Sequence, residues 1–381
     1  MDVTFVPVRV TGTSGQPEIA WAEGLPFTFP RSLVERIGWG SRINAEGELA
    51  IPPAATGIAS ADATALRDQR AFTEKPPASA RLPVSYQFVP GAIRAAVASL
   101  VGRRHRSRAW EWAQFPRWPL DLTTDLLSDL AAVPRPALGD RTPVLLTHDI
   151  DSPEGLRSLA HAFLPLEENA GARSTSYVVP CAWTPEDGAL DEIQRRGHEI
   201  GVHGYDHSNR TPFADEAERR RRLDAARPFA ERRGAIGYRA PSLLRTRALL
   251  RDLSSRYVYD SSIPTSGGLF PVPNNGCASA RPFVIEGVLE IPLTLPRDGS
   301  LRFLGYSAPE ILKLWIECAD TIARSGGIVV VLTHCEARFS GNDAMLYAYR
   351  HFLDHVGSAS HRFAFSTPAQ IATRLRHAQP I

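Results

Sequence analysis

Two short polar clusters, each at the end of an apolar run, carry the side chains that could do chemistry in this sequence. The first contains Asp149 and Asp151, and the second contains His203 and His207. Carboxylates two residues apart on a strand share one face, and histidines four residues apart can do so on a helical turn or in a tight loop. Two imidazoles, one carboxylate ligand and a spare carboxylate predict a mononuclear hydrolytic metal site with open coordination positions.

Three more polar residues follow apolar runs in the same way. Arg239 follows residues 236–238, Asp260 follows residues 257–259, and His334 comes just after the run 328–332. In a parallel α/β barrel the strand ends meet on one rim, where the chemistry takes place. We therefore expect these residues to join the two clusters in one site.

The elements that must position these residues begin at about residue 143, where apolar runs alternate with amphipathic stretches. This alternation predicts a parallel sheet in an α/β fold, as a barrel or a distorted relative of one. The predicted strands are 144–147, 174–179, 199–202, 257–259, 283–291, 328–332 and 362–365. The predicted helices are 153–170, 185–196, 213–233, 245–255, 307–324, 342–355 and 368–376.

The order and spacing of the motifs resemble the polysaccharide deacetylase family, carbohydrate esterase family 4, whose domain is a distorted (β/α) barrel. The resemblance covers about residues 141–376. Its motifs are His203-x-x-x-His207, Tyr238-Arg239-Ala240-Pro241, Asp260-Ser261-Ser262 and Leu332-Thr333-His334. We accordingly predict a catalytic barrel over residues 141–381 and an N-terminal accessory or cap region over residues 1–140.

The resemblance implies a role for each residue. Asp151, His203 and His207 are expected to bind the metal. The catalytic residues are then Asp149 as general base, Arg239 holding that carboxylate ionised, His334 as general acid, and Asp260 raising the pKa of His334.

This sequence departs from the family pattern at three positions. The usual adjacent aspartates appear as Asp149-Ile150-Asp151, so the base and ligand roles of the two carboxylates could be exchanged. Ser242 stands where the family commonly has tyrosine, and the tryptophan of the aspartate-led motif is absent. The substrate is therefore less well defined than the chemistry.

The function that follows is a metal-dependent hydrolase of non-peptide carbon–nitrogen bonds. We expect an N-deacetylase of an acetamido sugar, glycan or glycoconjugate that releases acetate with water activated at a divalent ion. Zinc is the first choice, while cobalt, nickel, iron or manganese fit the same ligands. The alternatives are hydrolysis of a formamide or cyclic ureide by the same residues, or an inactive glycan-binding barrel.

Composition limits the partners and the location. The net charge of +2 provides no field for nucleic acid, and no apolar run approaches a membrane span. Four widely spaced cysteines form no disulfide framework, and the first residues do not resemble a secretion signal. We predict a cytoplasmic protein with a carbohydrate or small acetamido substrate, and the sequence leaves its oligomeric state open.

Overall fold

The computed structural model describes residues 4–7, 9–11, 18–22, 25–29, 48–51, 63–65, 67–73, 75–81, 89, 91–112, 120–130, 133–267 and 275–378. The elements before residue 140 are strands β1 (Thr4–Pro7), β2 (Arg9–Thr11), β3 (Glu18–Ala22), β4 (Leu25–Phe29) and β5 (Glu48–Ile51), and helices α1 (Ala78–Arg81), α2 (Gly91–Trp112) and α3 (Thr123–Leu130). Strand β1 pairs with β5, and β2, β3 and β4 form an antiparallel sheet.

The main sheet contains nine strands, and most of its pairs are parallel. They are β6 (Thr142–Ile150), β7 (Thr175–Val178), β8 (Glu199–Val202), β9 (Gly237–Tyr238), β10 (Tyr259–Asp260), β11 (Phe283–Ile285), β12 (Val288–Glu290), β13 (Val329–His334) and β14 (Phe363–Ser366). Their order is β11-β12-β10-β9-β8-β7-β6-β13, and β14 pairs with the start of β6. The segment that follows β12 runs beside β13, where the Leu295 amide donates to the Val330 carbonyl. The sheet thus curls into an incomplete barrel.

Helices lie between these strands along the chain. They are α4 (Pro153–Ser158), α5 (Leu164–Asn169), α6 (Asp187–Arg195), α7 (Glu216–Arg233), α8 (Arg247–Leu253), α9 (Asp298–Phe303), α10 (Ala308–Ser325), α11 (Asp343–Ser358) and α12 (Pro368–Ala378). A π-helical turn, Leu159–Phe163, links α4 to α5. In the part of the chain that is described, no helix is both long and apolar enough to span a membrane.

Alternation along the strands divides the side chains between two cores. On β6, Leu146 and Ile150 belong to the larger core, which also contains helical residues such as Phe163 and Phe352. Leu145 belongs to the smaller core inside the curled sheet. Successive side chains of a strand point to opposite faces, so Thr147, Asp149 and Asp151 continue the inner row.

The prediction of a parallel α/β sheet in a distorted barrel is confirmed, with local differences. The predicted strand 283–291 is a hairpin of β11 and β12. Its turn residues Glu286 and Gly287 have φ values of 49° and 83°, as a tight hairpin turn requires. Strand β9 and helix α9 were not predicted, because two-residue and six-residue elements are too short to show periodicity.

The boundary at residue 140 stays a prediction. Leu120 and Leu122 are buried in the larger core. The Asp125 carboxylate accepts hydrogen bonds from the Ala280 amide at 2.7 Å and the Ser279 hydroxyl at 2.5 Å. The residues just before the boundary therefore pack as part of the barrel.

Candidate active site

A compact group of metal-type ligands lies at the carboxyl end of the sheet. The ligand atoms of Asp151, His203 and His207 all lie within 4.8 Å of one another. Asp151 Oδ1 is 3.5 Å from His203 Nε2, and Asp151 Oδ2 is 3.4 Å from His207 Nε2. Among the described residues this is the group whose geometry suits a metal ion, and it is the predicted ligand set.

The donor atoms of this cluster fit a cation. Asp151 Oδ1 and His203 Nε2 are buried, and neither has a hydrogen-bond partner in the described part of the chain. The other imidazole nitrogen, His203 Nδ1, donates to the Arg239 carbonyl at 3.0 Å, which directs the lone pair of Nε2 to the cluster. Burial lowers the pKa of His207 and outweighs the opposing charge of Asp151, which favours the neutral ligand form.

Asp149 lies beside the cluster in a different environment. Its Oδ1 accepts a 3.0 Å hydrogen bond from Arg239 Nη1, and its Oδ2 is 3.5 Å from His203 Nε2. Burial raises the pKa of Asp149, but the imidazole of His203 and the guanidinium of Arg239 outweigh it and bring the pKa to about 2. The carboxylate is ionised at neutral pH and can accept a proton.

Arg239 is fully buried and has a partner for each part of its guanidinium group. Nη1 also donates to the Thr147 hydroxyl at 2.9 Å, while Nε and Nη2 donate to the Ser261 carbonyl and hydroxyl at 2.9 and 3.0 Å. The group lies 4.1 Å above the centre of the Tyr177 ring. The expected contact with Asp149 is present, as one hydrogen bond within this wider set.

His334 ends β13, which pairs directly with β6. Its register partner is Asp149. Its Nδ1 donates to Asp298 Oδ1 at 2.7 Å, and its backbone amide donates to Asp298 Oδ2 at 2.7 Å. Burial lowers the pKa of His334, but the charge and hydrogen bond of Asp298 outweigh it and raise the pKa to about 9. His334 is therefore a protonated group opposite Asp149.

The carboxylate that contacts His334 is Asp298, and the expectation that Asp260 has this role is wrong. Tyr259 belongs to the inner core, so the next side chain of β10, Asp260, points to the other face of the sheet. There the Ser262 hydroxyl donates to Asp260 at 2.7 Å and accepts from the Ala240 amide at 2.8 Å. Asp260 thus helps to fix the turn that follows Arg239.

The sequence contains a signal that could have identified Asp298. This residue follows the largely apolar run 291–295, in the same way that the other site residues follow their strands. Its two oxygens also accept from the Gly299 amide and the Ser340 hydroxyl, so the carboxylate is held from several sides. Thr147, Tyr177 and Ser261 contact Arg239. In the sequence, only the alternation of side chains between the two faces of β6, β7 and β10 could have identified them.

The turn after Arg239 is tightly constrained. Ser242 and Leu243 have φ values of 55° and 57°, which are strained for residues other than glycine. Gly204, in the histidine motif, has a φ of 66°, and a Cβ there would lie 2.4 Å from the Pro241 ring. Glycine at position 204 is what allows the two motifs to approach each other.

His148 and Cys335 lie on the opposite side of β6 and β13 from the site. His148 Nε2 is 2.8 Å from Glu167 Oε1, its Nδ1 is 2.8 Å from the Thr333 hydroxyl, and Cys335 Sγ is 3.6 Å from the same nitrogen. Both residues are completely buried. This position gives His148 and Cys335 a packing role on the helical side of the sheet.

Comparison with known proteins points to one family. Residues 139–258 match the family model described as polysaccharide deacetylase. A search of curated proteins gave no match to this sequence.

Three solved structures share the fold. A protein of Mycobacterium smegmatis designated a polysaccharide deacetylase has 20% identity and a TM-score of 0.51, with 64% of this chain and 94% of that chain covered. A protein of Pseudomonas aeruginosa PAO1 with the same designation has 17% identity and a TM-score of 0.51, with 69% of this chain and 100% of that chain covered. The Puue allantoinase has 17% identity and a TM-score of 0.51, with 65% of this chain and 95% of that chain covered.

Proposed function

We propose that this protein, whose residues 139–258 match the polysaccharide deacetylase family model, is a metal-dependent amide hydrolase that removes the acetyl group from an acetamido sugar or glycoconjugate. One observation carries the proposal. An ionised carboxylate, Asp149, lies beside the cluster of Asp151, His203 and His207, with a protonated imidazole, His334, on the neighbouring strand. Amide hydrolysis requires a base, an acid and an electrophile in this arrangement.

The division between base and ligand follows from the neighbours of each aspartate. Asp151 is grouped with both histidines, whereas Asp149 is held by Arg239. We therefore assign Asp151, His203 and His207 to the metal and Asp149 to the proton of the attacking water. A divalent ion bound there supplies a water of lowered pKa and polarises the carbonyl group.

The protein residues complete the reaction on either side. Arg239 keeps Asp149 ionised and oriented, so that it can accept the proton of the water. The backbone amide after Pro241 donates a hydrogen bond to the developing oxyanion. His334, held at Nδ1 by Asp298, has Nε2 directed to the substrate and protonates the leaving nitrogen.

Zinc is the metal we propose, because two histidines and one carboxylate are a common catalytic zinc set. Cobalt, nickel, iron and manganese remain to be compared in the same assay. A cytoplasmic location remains our prediction from the sequence.

A second function is hydrolysis of a formamide or cyclic ureide. Ser242 replaces the family's usual tyrosine, which removes one aromatic wall for a sugar ring. One structural neighbour is an allantoinase, and its TM-score equals those of the two designated deacetylases. The fold therefore does not discriminate between the two substrate classes.

The test is hydrolysis by metal-reconstituted protein over two substrate panels. The first panel contains N-acetylated amino sugars and their phosphate and nucleotide conjugates, with acetate release as the readout. The second contains formamides and cyclic ureides, with ring opening or formate release as the readout. Acetate release that chelation abolishes and zinc restores supports the deacetylase. Turnover confined to the second panel would replace it, and wild-type protein inactive on both panels despite bound metal would favour the inactive barrel.

A further inference from the structure

The loops that follow β6 and β13 are joined by a residue to which the proposed reaction gives no role. The two strands pair in register, with Asp149 opposite His334. Asp151 and Glu336 each lie two residues beyond this pair, in the loops that follow β6 and β13. Glu336 therefore extends the site on the side of the metal ligand.

Glu336 is almost completely buried, with an exposed fraction of 2%. Its Oε1 accepts a 2.6 Å hydrogen bond from the hydroxyl of Ser152, the residue next to Asp151. Its Oε2 is buried and has no hydrogen-bond partner in the described part of the chain. An unsatisfied buried carboxylate oxygen is costly, so its presence calls for a compensating charge.

The space around this carboxylate is restricted. A Cβ at Gly155 would lie 3.0 Å from Glu336 Oε1, so the absence of a side chain there makes room for the glutamate. Ser152 is itself fixed, because its hydroxyl also accepts from the Gly155 amide at 3.1 Å as the N-cap of α4. The position of Glu336 is thus determined by the loop that bears Asp151.

The charges around the metal cluster indicate what compensates Glu336. The charged side chains of the proposed site, taken together with Glu336, are four carboxylates and two cations. They are Asp149, Asp151, Asp298 and Glu336, with Arg239 and protonated His334. Their sum is −2, so one divalent cation makes this group neutral. Without Glu336 the occupied group would carry a net positive charge, which is unfavourable in a buried site.

The electrostatic environment agrees with this position. Burial raises the pKa of Glu336 and the negative charge of Asp151 raises it further, while His334 opposes them, so that the pKa is about 6. Glu336 therefore lies within electrostatic range of both the ligand Asp151 and the acid His334.

We propose that Glu336 is a positioning residue of the metal site: held by Ser152 beside Asp151, it contributes the negative charge that raises the affinity of Asp151, His203 and His207 for a divalent cation. The inference rests on the proposed metal-dependent function. It predicts that Glu336 acts through the ligand cluster and without being a ligand itself.

The test is a zinc titration of metal-free protein by isothermal calorimetry. Glu336→Gln keeps an oxygen that accepts from Ser152 and removes the charge. We expect its zinc affinity to fall about 10- to 100-fold, the usual effect of changing a residue that supports metal ligands. The metal-free variant should melt no lower than the metal-free wild type, because the repulsion from Asp151 is removed. The rise in melting temperature on adding zinc should be smaller.

Glu154→Gln is the matched control. Glu154 is exposed and accepts from the Ala337 amide, so it joins the same two loops and has the same charge. Its replacement should leave zinc affinity within about twofold of wild type, since exposed charges are screened. If Glu336→Gln fails to fold, the zinc affinities of Glu336→Asp, which keeps the charge, and Glu336→Ala, which removes it, are each compared with that of wild type. Equal zinc affinities of the Asp and Ala variants would overturn the proposal.

The outcomes separate the two proposals. Wild-type protein that binds no divalent cation would contradict the proposed function and this inference together. Wild-type protein that binds zinc while Glu336→Gln binds equally tightly would overturn the inference alone.

Discussion

The proposed metal half of the site, Asp151, His203 and His207, differs from the proposed acid–base half, the pairs Asp149–Arg239 and His334–Asp298. In the metal half two buried ligand atoms have no hydrogen-bond partner among the described residues. In the acid–base half each charged group contacts an opposite charge at 3.0 Å or less. The first half is complementary to a cation from outside the chain, whereas the second is organised by the chain alone.

Arg239 joins the two halves. Its carbonyl accepts from His203 Nδ1, and its guanidinium donates to Asp149. A change in one half can therefore reach the other through this residue. Variants that separate metal binding from proton transfer are therefore the most informative. We expect the loss of activity to decrease in the order His203→Ala, Asp149→Asn, Asp298→Asn and Cys335→Ser.

His203→Ala should have the largest effect, because it removes a ligand from the metal half. A bound metal lowers the pKa of water from 15.7 to about 7, so its loss should reduce kcat/KM by ~10³-fold or more. Metal content and acetate release are the measurements. Chelated wild-type protein serves as the control and should show the same loss, whereas a His203→Ala protein that keeps stoichiometric zinc would contradict the assignment.

Asp149→Asn should separate the halves, since it removes the base and leaves the ligand cluster. We expect kcat to fall by about 10²- to 10⁴-fold, as is usual when a general base is lost. Zinc content measured by elemental analysis should stay near that of wild type. If the protein loses its metal as well, Asp149 is a ligand and the roles of Asp149 and Asp151 are exchanged.

Asp298→Asn should shift the alkaline limb of the pH profile. A general acid works while protonated, so activity is present below the pKa of His334 and falls as pH rises through it. In the native structure Asp298 raises that pKa to about 9. Without the carboxylate it should move down towards the ordinary value of about 6.5, and a loss of roughly 10- to 30-fold is expected near pH 8.

The matched control for this shift is Asp260→Asn. Asp260 contacts Ser262 on the other face of the sheet, and an asparagine oxygen can still accept that hydrogen bond. Its alkaline limb should coincide with that of wild type. A shift in Asp260→Asn with none in Asp298→Asn would restore the role that the sequence suggested for Asp260.

Cys335→Ser should have the smallest effect, because the thiol lies next to His148 and outside both halves. Burial raises the pKa of this thiol, so it is a poor nucleophile. We expect kcat/KM to change by less than about threefold, with a loss of stability of ~1 kcal/mol. Loss of activity in a folded, zinc-containing variant would show that this cysteine takes part in the reaction.

The sequence predicted the parts of this site that lie on regular strands. Asp149, Asp151 and His334 could be placed because β6 and β13 are long apolar strands whose ends are visible in the sequence. The partner of His334 was missed, because the apolar run 291–295 that precedes Asp298 lies beside β13 as an irregular segment and was not recognised as a strand end. Asp260 was misassigned since the face of a two-residue strand is determined by tertiary packing and shows no periodicity in the sequence.

The alternation of β6 has a consequence for the tolerance of this chain to mutation. In a saturation scan that scores abundance and turnover separately, positions 147, 149 and 151 should affect turnover more than abundance. Positions 146, 148 and 150 should affect abundance first, because their side chains are buried on the helical side of the sheet. The map of variant effects along this strand would thus have a period of two, with a different phenotype on each face.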